Sequence, residues 1–306
     1  MPISYKTDAA AVDTIRSMAR AHLAGMTRWV SDSECRWCLH EIASMVSDLL
    51  SSIHDSVESG QIQPSHRPAL AEEERGTAAI ARMLRIGIYP LAANPMHWGH
   101  ILVGLAVMAF LKLDKIVFMI AGSDDRKPGM TAAETRHQLG ISVLENFAPI
   151  FEYSPIALGT SLDGETNFGR ILALNPLQRM ETWYIAGMDH YRRKDSAGEP
   201  DTLEKLERVV KEQERAGNRT HSISLVFVER GGDPRAQGNR ETFLNIHLLP
   251  PLPFAFSSTA ARRALCNGGT LCDAVVSLPY ACVLTARTNG GDSGIRECFD
   301  GTDPMV

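Results

Sequence analysis

The 306-residue chain lacks an apolar run long enough to cross a bilayer, because its longest run covers only residues 101–111. It also lacks an excess of basic residues. Its 31 Lys and Arg against 36 Asp and Glu give a net charge of -5, which supplies no overall field to attract a polyanion. The first residues lack the charged and apolar regions of a secretory signal. We therefore expect a cytoplasmic protein with no membrane and no nucleic-acid partner.

Cysteine is scarce as well, since six residues in a chain of this length do not resemble a disulfide framework. Cys35 and Cys38 form a C-x-x-C pair with His40 nearby, which could be half of a zinc site. A tetrahedral zinc site needs four ligands, however, and no second closely spaced pair follows. No strand precedes the pair, as a thioredoxin-like redox unit would require. We interpret both residues as buried helix cysteines and predict no metal ligands in the chain.

The pattern of apolar residues divides the chain into three parts. Helical spacing predicts a pair of helices over residues 8–58, and a polar, turn-rich linker follows. From residue 84 onward, short β-rich apolar runs alternate with helical patterns, which predicts an α/β fold: a Rossmann-like doubly wound parallel sheet with an N-terminal helical extension. The predicted parts are the helical extension and linker over residues 1–75, the α/β domain over 82–287, and a flexible tail over 288–306.

Two histidines, His97 and His100, stand three residues apart where the first predicted strand gives way to a helix. Ligands of doubly wound sheets bind beyond the carboxyl ends of the strands, so a site is expected at this point. Gly99 allows close approach to the backbone, and the N–H groups at the helix start favour an anion. Imidazoles placed there can donate hydrogen bonds to phosphate oxygens and stabilise charge that grows on them. The alternatives are one capping and one core histidine, or a zinc pair.

A second candidate anion site lies late in the chain. Ser257, Ser258 and Thr259 immediately precede a helical run, and Arg262 follows one turn into it. A hydroxyl at a helix start is first of all an N-cap. Three consecutive hydroxyls followed by a guanidinium can also hold a polyphosphate.

Together these two segments, H-x-G-H and F-S-S-T-x-x-R, resemble the motifs of the nucleotidyltransferase superfamily. Within it, the chain most resembles the nicotinate/nicotinamide mononucleotide adenylyltransferases, over about residues 84–287. The similarity rests on residues 94–100, 134–139, 164–174, 186–189, 256–262 and 278–286.

The resemblance implies transfer of the adenylyl group of ATP to the 5′-phosphate of nicotinate or nicotinamide mononucleotide, with Mg²⁺ accompanying ATP and pyrophosphate leaving. The residues that the resemblance implies are His97, His100 and Arg262 for catalysis, Asn94, Gly99, Gly187, Asp189, Ser257, Ser258 and Thr259 for ATP, and Lys127, Arg136, Trp98 and Thr166 for the acceptor. As alternatives to binding the acceptor, Trp98 could be a wall of the site and Lys127 a solvated loop residue.

Two features depart from the family pattern. The usual Gly-Gly-Ser-Phe-Asp-Pro loop is replaced by residues 90–95, which lack both glycines. The helical extension is one that bacterial-type members usually lack; it could form a homo-oligomer, cover the active site or bind a regulator. The alternatives for the function are another phosphorylated acceptor such as phosphopantetheine, a cytidylyltransferase, and a non-catalytic nucleotide-binding protein.

Overall fold

The computed structural model describes residues 5–28, 33–64, 83–123, 130–176, 178–188, 190, 202–217, 221–229, 242–252 and 258. Its centre is a six-stranded sheet in which every neighbouring pair is parallel, in the order β3-β2-β1-β4-β5-β6. This arrangement confirms the predicted Rossmann-like α/β fold. The strands are β1 (Leu84–Leu91), β2 (Lys115–Ile120), β3 (Phe151–Ser154), β4 (Met180–Gly187), β5 (His221–Val228) and β6 (Asn245–Leu249).

Helices cover both faces of the sheet, and alternate strand residues enter two separate cores. Tyr89 and Phe118 point into the core that includes side chains of the first four helices. Ile88 and Val117, their chain neighbours, point into the core shared with the last two helices. The helices are α1 (Tyr5–Thr27), α2 (Ser33–Glu58), α3 (Trp98–Leu111), α4 (Ala133–Leu144), α5 (Gly164–Leu174) and α6 (Thr202–Arg215), with a 3-10 turn at Glu145–Phe147 after α4.

The strand order reverses between β1 and β4, and there the two strands separate before they end. Their pairing runs only as far as Ile88 and Tyr184, whereas β1 stays paired with β2 up to Leu91. Doubly wound sheets bind ligands in the crevice that such a separation creates. The carboxyl ends of β1 and β4 are therefore the place to look for the functional site.

The helical extension is an antiparallel hairpin. Arg16 of α1 donates a hydrogen bond to the Ser51 hydroxyl of α2 at 2.9 Å, and Asp13 lies 3.2 Å from His54. These pairs advance along α1 as they retreat along α2, which fixes the antiparallel direction. The predicted pair of helices is thus observed, with a break after Thr27.

A buried carboxylate joins this extension to the α/β domain. Asp114, only 2% exposed, accepts the backbone N–H of Gln63 at 2.9 Å and that of Arg85 at 3.0 Å. Close by, the Lys112 ammonium donates to the Ser56 hydroxyl at 2.9 Å. Side chains of α1 and α2 also share one continuous apolar core with α3 and the sheet. The extension is therefore packed against the sheet domain, although the domain boundaries themselves stay predictions.

One strand, β6, was not predicted. It lies at the edge of the sheet and its residues are mostly exposed or half-buried, so it lacks the apolar pattern by which the inner strands are recognised.

Within the described part of the chain, no helix combines the length and apolar character that crossing a membrane requires. The predicted tail, residues 288–306, lies outside the described residues.

Candidate active site

The two histidines of the H-x-G-H segment form one compact unit at the start of α3. His97 is the N-cap residue, with extended backbone angles of φ -138° and ψ 170°, and its N–H donates to Nδ1 of His100 at 3.1 Å. The imidazole rings stack with their centroids 3.7 Å apart and their planes 23° from parallel. Both side chains are buried. The pair is therefore held in a fixed mutual geometry by the helix start itself.

This contact also determines which ring nitrogen of His100 can donate. Because Nδ1 accepts the His97 N–H, the proton of the neutral ring resides on Nε2. The edge of Tyr89 supports the same ring, with centroids 6.3 Å apart. A donor from Nε2 and the N–H groups at the start of α3 together suit an anion.

One residue of the late motif, Ser258, contacts the segment that carries the histidines. The Ser258 hydroxyl donates to the carbonyl oxygen of Pro95 at 3.0 Å, although the residues are 163 positions apart. Ser258, the one residue of the late motif that the structure describes, therefore lies against the segment that carries the histidines. Of the other predicted site residues, those outside the described residues are Lys127, Asp189, Ser257, Thr259 and Arg262.

Three predicted ATP-binding residues lie at the same edge of the sheet. Gly99 is the second residue of α3, and Gly187 is the last residue of β4. Asn94 is buried, and its Oδ1 accepts the N–H of Thr131 at 3.3 Å. Asn94 thus connects the segment after β1 with the segment before α4.

Arg136 has a different environment from the substrate contact that the resemblance implies. It is 1% exposed, and its guanidinium donates to four main-chain carbonyls. Nε reaches Thr131 at 2.8 Å, Nη1 reaches Ala92 at 2.6 Å and Ala121 at 2.8 Å, and Nη2 reaches Gly122. Since a guanidinium has five N–H donors, most of them are used inside the protein. This environment favours a role for Arg136 in supporting these loops, and its predicted contact with the substrate stays a prediction.

The two other predicted acceptor-binding residues that the structure describes, Trp98 and Thr166, differ in exposure. Trp98 is 2% exposed and its indole belongs to the core. This burial favours the alternative interpretation of Trp98 as a wall of the site. Its Nε1 has no hydrogen-bond partner in the part of the chain that the structure describes. Thr166 is exposed in the first turn of α5, where its N–H donates to Asp163, the N-cap residue, at 2.8 Å. Only Thr166 offers its side chain to solvent.

The contacts between the start of α5 and the strands β1 and β4 were not predicted from the sequence. The start of α5 packs so closely there that a Cβ on Gly164 would lie 2.7 Å from the Tyr184 hydroxyl and 2.9 Å from Pro90. Burial, and then the carboxylate of Glu165, raise the pKa of Tyr184, and Glu165 is itself buried. The sequence signal for Glu165 was its position as an acidic residue in the first turn of a helix, which ordinarily indicates only a favourable interaction with the helix dipole.

Backbone geometry shows that the loops of the site are tightly constrained. Ala93, next to the histidine segment, has a left-handed φ of 48°, a conformation that costs an L-residue about 1–2 kcal/mol. A Cβ on Gly122 would overlap the carbonyl oxygens of Ala157 and Thr160. The loop after β2 therefore packs directly on the loop after β3, and only glycine fits at the contact.

Comparisons with known proteins give the site a context. No protein-family model matches the chain. A "probable nicotinate-nucleotide adenylyltransferase" of Thermus thermophilus is 28% identical over 191 residues, which are 60% of this chain and 88% of that protein. A protein of the same name from Thermoanaerobacter sp. is 28% identical over 116 residues, 36% of this chain; the chain thus spans about half, 53%, of that relative. Another from Clostridium botulinum is 35% identical over 68 residues, 22% of this chain and 34% of that protein.

A solved structure was also found to be similar. It is that of Plasmodium falciparum nicotinic acid mononucleotide adenylyltransferase complexed with NaAD, at a TM-score of 0.48 and 15% identity, covering 68% of this chain and 97% of that chain.

The fold, the histidine segment and the curated relatives agree: the chain is similar to nucleotidyltransferase enzymes. Among these enzymes, it is similar to the nicotinate-nucleotide adenylyltransferases. The resemblance inferred from the sequence motifs is thereby confirmed.

Proposed function

We propose that the protein transfers the adenylyl group of ATP to nicotinate mononucleotide, releasing pyrophosphate and forming nicotinate adenine dinucleotide; nicotinamide mononucleotide is the alternative acceptor of the same class. The observation that carries the proposal is the stacked His97–His100 pair at the start of α3, joined to the late motif through Ser258 and Pro95. The names of the curated relatives support the choice of acceptor.

The reaction needs alignment and charge stabilisation but no protein nucleophile. An oxygen of the acceptor's 5′-phosphate attacks the α-phosphorus of ATP, and the bond from that phosphorus to the bridging oxygen of the β-phosphate breaks. Both reactants are anions, so the site must bring them together and offset charge that grows on the α-phosphate oxygens. His100, donating from Nε2, and the first N–H groups of α3 supply that stabilisation.

The late motif serves the leaving group in this proposal. Ser258 lies against the histidine segment, and the sequence places Thr259 and Arg262 just after it. By the resemblance, these residues hold the β- and γ-phosphates as pyrophosphate departs. A guanidinium suits this task because it binds phosphate oxygens in bidentate fashion.

Mg²⁺ is proposed to arrive with ATP, as the resemblance implies. Within the described ranges, no group of three or more His, Cys, Asp or Glu side chains could build a metal cage, and Mg²⁺ is commonly held by substrate phosphates with few protein ligands. Bound in this way, Mg²⁺ would neutralise part of the triphosphate charge. The cytoplasmic location and a homo-oligomeric state stay predictions.

Product analysis tests the proposal. The protein is incubated with ATP, Mg²⁺ and nicotinate mononucleotide, and the products are identified by mass spectrometry. We expect nicotinate adenine dinucleotide and pyrophosphate in equal amounts. Failure to form a dinucleotide with either pyridine mononucleotide would overturn it.

A further inference from the structure

We infer that Arg136 is a positioning residue for the histidine pair. Its one buried guanidinium donates hydrogen bonds to carbonyls that directly follow β1 and β2, and so fixes the segment that carries His97. The inference rests on the proposed function for its catalytic consequence. Its structural part concerns the shape of residues 92–97 and can be tested without turnover.

The carbonyls that Arg136 binds belong to distinct segments of the active-site edge. Ala92 directly follows β1, Ala121 and Gly122 directly follow β2, and Thr131 precedes α4. Their oxygens all accept from the one guanidinium, which is 1% exposed. A single side chain thus fixes how these chain segments sit relative to one another.

The histidine segment is held at three successive points, and Arg136 contributes to two of them. Arg136 holds the Ala92 carbonyl at 2.6 Å directly. Asn94 accepts the N–H of Thr131 at 3.3 Å, and Arg136 in turn donates to the carbonyl of Thr131. Pro95 is held independently by a hydroxyl from the late motif, at 3.0 Å.

The segment between these points would not keep its shape unaided. Ala93 follows the first point and has a left-handed φ of 48°, which an alanine adopts only when its surroundings impose it. Loss of the hydrogen bond to Ala92 would let Ala93 relax toward an ordinary backbone conformation. The N-cap position of His97, and with it the stacking on His100, would then shift.

The charge of Arg136 matters for the same reason. Four carbonyl oxygens converge at the edge of the sheet where phosphate is proposed to bind, and their partial negative charges would oppose an anion. A guanidinium stays positive at every working pH, so it satisfies the oxygens and offsets their field together. A neutral replacement would remove the charged donor from all four carbonyls, of which Ala121 alone also lies within hydrogen-bond distance of another described side chain, His137 Nε2 at 3.2 Å.

The competing interpretation is that Arg136 binds the acceptor phosphate directly. The two roles predict different kinetics, because uniform loss of a substrate contact raises KM whereas misplacement of the histidines lowers kcat. A variant series of Arg136→Met and Arg136→Lys separates them. Arg85→Met is a matched control: Arg85 also donates to two main-chain carbonyls, Leu111 and Lys112 at 2.9 Å each, but at the opposite end of α3.

For Arg136→Met we expect kcat to fall by about 100-fold or more, with both KM values within about threefold of the parent. Arg136→Lys should recover part of the loss, since an ammonium retains the charge and up to three donors. Arg85→Met should lower the melting temperature but leave kcat within about threefold. A KM that rises for one substrate alone, with kcat unchanged, would overturn the inference, and so would an unchanged kcat.

A spectroscopic measurement keeps the inference testable if Arg136→Met fails to fold or if the parent makes no dinucleotide. Histidine ring ¹⁵N resonances report the tautomer and environment of His100, and comparison with a His100→Asn spectrum assigns its signals. In folded Arg136→Lys we expect the His100 signals to shift. The signals of His221, which is the first residue of β5 and lies far from the histidine pair, should stay in place. Unshifted His100 signals would contradict the positioning role whatever the outcome for the proposed reaction.

Discussion

Replacing His100 in two different ways separates its structural contact from its proposed catalytic one. Nδ1 of His100 accepts the His97 N–H at 3.1 Å, and its proton therefore lies on Nε2. In His100→Asn, the side-chain oxygen stands near the position of Nδ1 and can still accept, but no donor reaches as far as Nε2. In His100→Gln, the amide nitrogen approaches the position of Nε2, but nothing replaces the acceptor.

The expected magnitudes differ accordingly. Loss of one donor to a developing oxyanion costs about 10²–10³ in kcat, so His100→Asn should lose turnover by that factor and remain folded. Loss of the acceptor leaves a buried N–H without its partner, which costs about 1–3 kcal/mol of stability. His100→Gln should therefore be the less stable variant and retain the larger share of kcat.

Both variants are assayed by pyrophosphate release at saturating ATP and acceptor, and by urea unfolding to obtain the free energy of unfolding. The reasoning fails if His100→Asn turns over within about threefold of the parent. It also fails if His100→Gln is as stable as the parent, because the contact with His97 would then have no structural weight.

Three further perturbations test other parts of the structure. Gly122→Ala should destabilise the fold by about 3 kcal/mol in urea unfolding, because its Cβ would overlap two backbone oxygens; an undiminished free energy would refute the close approach. Asp114→Asn should lower the free energy of unfolding by about 1–3 kcal/mol, because one of its two backbone N–H contacts would face an amide; unchanged unfolding would show that the anchor is unimportant. Burial lowers the pKa of His137 below 6.5, so the unfolded chain binds protons first and stability is lost as pH falls through that value. His137→Asn should therefore show a shallower decline in melting temperature below pH 6.5, and an identical decline would contradict this.

The sheet was predictable because its inner strands are short, β-rich apolar runs. β2, for example, is buried at every position and reads directly as a core strand. The position of His97 and His100 at a strand-to-helix junction was predictable for the same reason, since the end of β1 and the start of α3 mark the carboxyl edge. The edge strand β6 escaped prediction because half of its surface faces solvent.

The role of Arg136 could not be predicted, because its partners are backbone oxygens that carry no signature in the sequence. They come from positions up to 44 residues away, and only the folded sheet brings them together. The contact between Glu165 and Tyr184 was missed for a similar reason. A buried carboxylate in a first helical turn cannot be told from an exposed one without knowing which face of α5 meets β4.

Pyrophosphate release from ATP and Mg²⁺, measured with nicotinate mononucleotide, nicotinamide mononucleotide and phosphopantetheine supplied separately, is the decisive test of the proposed adenylyl transfer. We expect release that depends on a pyridine mononucleotide, with the highest kcat/KM for nicotinate mononucleotide. Release with phosphopantetheine alone, or ATP binding without release with any acceptor, would contradict it.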